Sequence, residues 1–260
     1  MKKYLLSLLI VLLFVAPLFC QAAGQKEKRL ENFSFAQLKY PGGNWDPNPL
    51  AWEGLYPFLT GVTNIHPEKE RRVLELSNME IFEHSFIVIS GDSGFPPFTE
   101  GEEQKLRWFF DGGGICFIDD ATGILNSGFD KSIRRELKKI FPTQELNKIP
   151  FEHAIFYAFH LKPAVTGTQE AAAYLEGIEY NNQTTVIYSR NDLLGVWATD
   201  RLGNPVKKCT PGGELQRLEA KKLAVNILMY GLTGTYKLDA MHRNNIINKL
   251  KYKTLLNGKE

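Results

Sequence analysis

Two adjacent carboxylates close an apolar run: Gly112-Gly113-Gly114-Ile115-Cys116-Phe117-Ile118-Asp119-Asp120. Paired carboxylates can do acid–base work when one raises the pKa of its neighbour. With further oxygen ligands they can hold a hard cation such as calcium or magnesium. More polar residues fall just past other apolar runs. These are Trp45 and Asp46 near the start, Asp92 with Ser93, His153 in Pro150-Phe151-Glu152-His153, and Arg190 with Asp192. The candidate site is therefore Asp119 and Asp120 at the centre, with Asp92, Trp45, Asp46, His153, Arg190 and Asp192 around them. Each also has a structural reading. Asp is a preferred N-cap and turn residue, His153 can serve as a hydrogen-bonded structural histidine, and Trp45 can be a packing residue. No cofactor fingerprint accompanies the set.

The elements that must position these residues alternate. Phe33 to Tyr40 reads as a first strand, followed by the turn-rich Pro41-Gly42-Gly43-Asn44-Trp45-Asp46-Pro47. A helix is expected over Leu50 to Leu59, with Trp52, Leu55, Tyr56 and Leu59 on one face. Arg72 to Leu76, Phe86 to Ser90 and Ile115 to Ile118 read as short strands, the last two apolar enough to be covered on both faces. Thr99-Glu100-Gly101-Glu102 is a capping box opening a helix that carries Leu106, Phe109 and Phe110. Another helix is expected over Lys131 to Ile140, after a loop from Gly123 to Gly128. Ala154 to Leu161, Ala172 to Glu179 and Thr184 to Ser189 are expected strands, and Glu214 to Tyr230 is a long helix. Strand–helix alternation implies parallel pairing and right-handed crossovers. The expected fold is an α/β flavodoxin-like three-layer sandwich with a mainly parallel sheet. The closely spaced later strands form an antiparallel extension. In such a sheet the ligand crevice lies beyond the carboxyl ends of the strands, where Asp119 and Asp120 are expected, Asp120 facing the crevice and Asp119 capping the next loop.

The amino terminus reads as a secretory signal peptide: Lys2 and Lys3, an apolar run from Leu5 to Phe19, then Ala22 and Ala23. Cleavage is expected after Ala22, and residues 23–32 form a linker. Cys20 raises lipidation as an alternative, but Phe19 stands where a lipoprotein signal has a small residue. The chain has 31 basic and 29 acidic residues. The signal segment holds two Lys and no acid, so the remainder balances to zero. That excludes the basic excess of a nucleic-acid binder. Cys116 sits inside an apolar run and is expected to be inert, and Cys209 makes no zinc motif with it. After Tyr236, six basic and two acidic residues accompany Met241, Ile246, Ile247 and Leu250. This tail, 235–260, is read as helical. It either packs on the domain or lies on an anionic membrane.

A set of local motifs resembles a known family. They are Phe35-Ala36-Gln37-Leu38-Lys39-Tyr40-Pro41-Gly42-Gly43-Asn44-Trp45, Phe98-Thr99, Leu106-Arg107, Gly112-Gly113-Gly114 and Asp119-Asp120. Phe141-Pro142, Leu146, Ile149-Pro150, His153, Ile155-Phe156, Ala224-Val225-Asn226-Ile227 and Tyr230-Gly231-Leu232-Thr233 continue them. Together they resemble the bacterial domain of unknown function 4159 family over about residues 33–234. That resemblance implies the class I glutamine amidotransferase-like superfamily and its flavodoxin-like fold, and no particular activity. Those amidotransferases carry a cysteine in a strand-to-helix elbow, which a nucleophile needs. Here that position reads Asp119-Asp120-Ala121, and Cys116 lies three residues earlier within the strand.

Two function classes remain open on these grounds. One is an exported, non-catalytic binding or assembly module of the bacterial envelope, partnered by envelope proteins or a small ligand. The other is a carboxylate- or metal-dependent hydrolase using Asp119 and Asp120.

Overall fold

The computed structural model describes residues 33–233. The expected signal peptide, Cys20, the 23–32 linker and the basic tail lie outside the described residues.

Seven strands form one sheet. They are β1 (Ala36–Lys39), β2 (Arg72–Glu75), β3 (Phe86–Gly91), β4 (Ile115–Asp120), β5 (Asn147–Lys148), β6 (Glu176–Tyr180) and β7 (Gln183–Ser189), in the order β2-β1-β3-β4-β7-β6-β5. β2, β1, β3, β4 and β7 run parallel, and β6 and β5 add an antiparallel extension. Every residue of β3, β4 and β7 is buried. That explains why β3 and β4 read as continuous apolar runs: strands covered on both faces have no side free for water.

Among the described residues, four helices cover the sheet: α1 (Ala51–Val62), α2 (Glu100–Asp111), α3 (Gly128–Ile140) and α4 over residues 213–233. α1 and α4 build the core on one face with Phe35, Val88, Phe117 and Trp197. α2 and α3 build the other with Leu38, Ile89, Ile118 and Tyr188. The result is a three-layer, flavodoxin-like α/β sandwich. The capping box of α2 is present: Thr99 Oγ1 accepts from the Glu102 amide at 3.3 Å, and Glu102 Oε2 accepts from the Thr99 amide at 2.8 Å. α3 starts earlier than its periodicity suggests, because Ser127 caps it by accepting from the Asp130 amide at 2.9 Å. Phe129, Ile133, Leu137 and Ile140 face the core, each contributing about 1.5–3 kcal/mol by burial.

One expected strand is absent. Ala154–Tyr157 is a 3-10 helix, and the following residues pack beside α4 rather than joining the sheet. The apolar character of Ala154 to Leu161 arises because Ile155 and Phe156 are buried in the α1/α4 core.

The chain leaves β1 for β2 on one side and returns to β3 on the other, so the sheet changes winding direction between β1 and β3. The loops after both strands meet above that point. Gly91, the last residue of β3, allows the approach. A Cβ there would lie 2.1 Å from Tyr40 Oη and 2.4 Å from a Phe129 ring carbon. Gly91→Ala is therefore expected to cost about 1–3 kcal/mol by overpacking. Urea unfolding checks this, and an unchanged midpoint would show that Tyr40 and Phe129 can move aside.

Candidate functional site

The site is built at the carboxyl ends of β1, β3, β4 and β7. At the β1/β3 switch, the Tyr40 hydroxyl donates to the Ser90 carbonyl at 3.0 Å and lies 3.1 Å from the Asn44 carbonyl. The Asn44 amide N–H donates to Ser93 Oγ at 3.0 Å, and Asn44 Nδ2 donates to Asp92 Oδ2 at 2.8 Å. These bonds join the loop after β1 to the loop after β3. Burial, then the charges of Asp92 and Asp120, hold the Tyr40 phenol above its usual pKa range. Tyr40 therefore stays a neutral donor.

Asp119 and Asp120 are within β4, not beyond it, and both are 0 % exposed. Successive residues of a strand point to opposite faces, and the two carboxylates have separate partners. Asp119 Oδ1 accepts from the Leu193 amide and Oδ2 from the Leu194 amide, both at 2.8 Å. It thereby fixes the turn that opens the 3-10 helix Leu194–Trp197. Asp120 Oδ1 accepts from the Thr122 amide at 2.9 Å and the Thr122 hydroxyl at 2.6 Å, and its Oδ2 accepts from Ser127 Oγ at 2.6 Å. It thereby shapes the β4–α3 loop and orients the cap of α3, so Asp120 holds the following loop instead of facing the crevice, and Asp119 holds the turn after β7 instead of that loop.

Asp192 joins Asp119. It sits at φ 54°, a left-handed conformation. Its Oδ1 accepts from Asn48 Nδ2 at 2.7 Å, and its Oδ2 accepts from Lys207 Nζ at 2.9 Å and from Thr168 Oγ1. The Asp192 carboxylate thus gathers three loops. Burial and the neighbouring Asp192 charge push Asp119 up to about 7, against the two amide bonds that lower it. Burial also raises Asp192, opposed chiefly by Lys207 and Thr168.

The pH consequence has a definite sign. Between an unfolded value near 3.8 and the folded value of about 7, the native chain holds a proton that the unfolded chain releases. Stability therefore falls as pH rises through that window. Urea unfolding of the protein from pH 4 to 8 should show this decline, and Asp119→Asn should flatten it. An equally steep decline in the variant would assign it elsewhere.

The remaining candidates are placed apart from this centre. Asp46 is paired with Arg71, whose Nη1 donates to Asp46 Oδ1 at 2.7 Å. The Arg71 guanidinium also lies 5.6 Å from the Trp45 ring centre and 5.4 Å from that of Trp52. Trp45 and Asp46 therefore lock the β1 loop down towards the segment before β2. Arg190 is 7 % exposed; it donates to the Tyr174 hydroxyl at 2.6 Å and pairs with Glu176 at 3.4 Å. His153 belongs to the other end of the sheet. Its Nε2 lies 2.9 Å from Thr184 Oγ1, near the start of β7, and its Nδ1 accepts from the Ile155 amide at 3.2 Å. Burial lowers its pKa, in keeping with a neutral imidazole capping the 3-10 helix.

Tyr40, Asn44, Asn48, Thr168, Lys207 and Ser127 complete the arrangement, and nothing in their spacing along the chain singles them out for it. Asn48 and Asp192 are 144 positions apart, so no local pattern joins them. Cys116 is wholly buried and burial pushes its thiol far up. Among the described residues, no group of three or more His, Cys, Asp or Glu side chains is placed to hold a metal ion.

A doubly wound sheet with polar loops meeting at its switch point is the ligand-crevice class of α/β fold. Within that class, the chain belongs to the family described as domain of unknown function (DUF4159), whose model matches residues 34–232. A comparison with curated proteins finds no match.

Proposed function

We propose that the protein is a non-catalytic binding module of the bacterial cell envelope, with the crevice over β1 and β3 as its binding surface. In this reading it has a degenerate amidotransferase-like site. One observation carries it: every carboxylate oxygen of Asp119 and Asp120 is buried and engaged in holding the protein's own loops. Both residues are 0 % exposed, so neither presents an oxygen to solvent in the crevice. The β4–α3 turn, Ala121 to Ser127, contains no cysteine. The groups left at the crevice mouth, Asn44, Asp92 and Ser93, suit hydrogen bonding to an envelope protein or small polar ligand. The signal-like amino terminus supports export.

Two experiments test this. The full chain should turn over none of p-nitrophenyl phosphate, p-nitrophenyl acetate or glutamine. Turnover of any of them that Asp120→Asn abolishes would overturn the reading in favour of the carboxylate hydrolase. Amino-terminal sequencing of the chain from the envelope fraction should begin at Ala23. A lipid-modified start at Cys20 would instead establish a lipoprotein, and recovery of the intact chain from the cytoplasm would refute export.

A further inference from the structure

A second cleft lies at the opposite edge of the sheet from the crevice. α2 ends at Asp111, and the chain turns through residues 112–114 into the start of β4. α3 ends at Ile140, and residues 141–144 leave it towards β5. β6 ends at Tyr180, beside the start of β7. These three chain ends enclose a cavity of about 270 Å³. That is just under the range of about 300–1,000 Å³ for drug-sized ligands, so the cavity is sized for a single small ring. Its apolar wall is aromatic. The Phe141 ring lies 4.9 Å from that of Phe110 and meets the Tyr180 ring edge-on at 5.5 Å. The Tyr180 hydroxyl donates to Asp111 Oδ1 at 2.7 Å, so this half-buried ring is held both at its edge and through its hydroxyl. That bond also raises the pKa of the phenol, which keeps it a neutral donor.

The polar wall carries more hydrogen-bonding capacity than the protein uses. Gln104 is half-buried, and its amide makes no hydrogen bond among the described residues. Its oxygen and both its N–H groups are therefore unused. Gln144 Oε1 accepts from Thr143 Oγ1 at 3.0 Å, while its amide nitrogen has no partner among the described residues. Arg107 uses Nη2 on Glu103 Oε2 at 3.3 Å and on the Lys139 carbonyl at 2.8 Å. Its Nε and Nη1 have no partner among the described residues, and Asp111 keeps Oδ2. Amides, a guanidinium and a carboxylate each offer two neighbouring atoms in one plane, which suits a pair of hydroxyls on adjacent carbons. The charges in the wall, Arg107 and Asp111, are one of each sign, so they select neither an anion nor a cation. A purely apolar occupant would strip water from these groups without replacing it.

We infer that this cavity binds a single neutral pyranose ring. The C–H face of the sugar lies along the Tyr180 ring, where C–H groups meet the negative face of an aromatic. Its hydroxyls take the unused positions on Gln104, Arg107, Gln144 and Asp111. The cavity is separate from the crevice over β1 and β3, so the inference stands or falls independently of the function proposed above.

Saturation-transfer difference NMR on the full chain tests this. The probes are glucose, galactose, mannose and N-acetylglucosamine at millimolar concentration, each as the free sugar and as its methyl glycoside. At least one should receive saturation, strongest on its ring C–H protons. Binding of both forms would support a site that also accepts the end of a glycan, and binding of the free form alone would support a monosaccharide site. Gln104→Ala should weaken the binding roughly fivefold, the equivalent of one hydrogen bond. The Gln104 amide has no partner in the described fold, so this variant should keep the parent's urea midpoint. Asp92→Ala, at the crevice, should leave sugar binding unchanged. Three results would overturn the inference. The first is that none of the sugars receives saturation. The second is that Gln104→Ala binds as well as the parent, or that Asp92→Ala abolishes binding, which would place the sugar in the crevice. The third is displacement of the sugar by inorganic phosphate or tetramethylammonium, which would make the cavity an ion site.

Discussion

Asp119→Ala should lower the unfolding free energy by about 2–6 kcal/mol, since it leaves two buried N–H groups unpaired at about 1–3 kcal/mol each. Those groups are the Leu193 and Leu194 amides, both 2.8 Å from the carboxylate. The loss should depend on pH. Near pH 5 Asp119 is protonated and its repulsion from Asp192 is absent, so the variant loses the bonds and gains nothing. Near pH 8 the variant also removes a costly buried charge, so the difference should shrink. Urea unfolding at both pH values reads this directly. A variant as stable as the parent at pH 5 would show that the turn after β7 is held by other groups.

Trp197→Ala should cost about 3–5 kcal/mol, the range for truncating a large buried aromatic side chain. Trp197 is fully buried at the end of the 3-10 helix that Asp119 opens. Its ring lies 5.0 Å from the Phe58 ring in an edge-on contact, and Lys221 Nζ sits 5.0 Å from its centre. α1 approaches so closely that a Cβ on Gly54 would fall 2.1 Å from the Trp197 carbonyl oxygen. The two predictions are coupled, because Trp197 reaches its pocket only if the turn at Leu193 and Leu194 is fixed. The double variant should therefore lose less than the sum of the singles, by about 0.5–3 kcal/mol. Strict additivity in urea unfolding would mean that the turn and the tryptophan are fixed independently.

The parts of the fold legible in the sequence are those whose signal is local. β3 and β4 are runs with no polar side before their carboxyl ends, and they are the central parallel strands. Thr99 and Glu102 form their capping box because that motif depends on four consecutive residues. Ala154 to Leu161 misleads for a physical reason. Burial against α4 gives the same short apolar run as burial in a sheet, and the difference lies in Asn226, more than sixty positions away. The strand expected over Ala172 to Glu179 is present but begins later, at Glu176.

The candidate site shows the same division. Asp119 and Asp120 stand out by type and position, and the structure places both at the carboxyl edge beside the loops carrying Asp92 and Asp192. What the sequence does not show is where their oxygens are engaged. β4 continues through both aspartates, so the side chains part to opposite faces, and each of their four oxygens accepts from Leu193, Leu194, Thr122 or Ser127. His153 reads as one more polar residue beside an apolar run, yet the chain turns back after β5 and carries it to Thr184 at the far end of β7. Its spacing from the aspartates holds no information about that reversal.

Equilibrium urea unfolding of Asp120→Ala beside Asp92→Ala tests the central claim most directly. Asp120 holds Thr122 and Ser127 within the protein, whereas Asp92 is exposed at the crevice mouth. If Asp120 is a structural pin, its loss should cost about 1–3 kcal/mol, while Asp92→Ala should stay within about 0.5 kcal/mol of the parent. An Asp120→Ala protein that is as stable as the parent or more so would contradict the account, because relief of that kind is what removing a strained catalytic carboxylate produces.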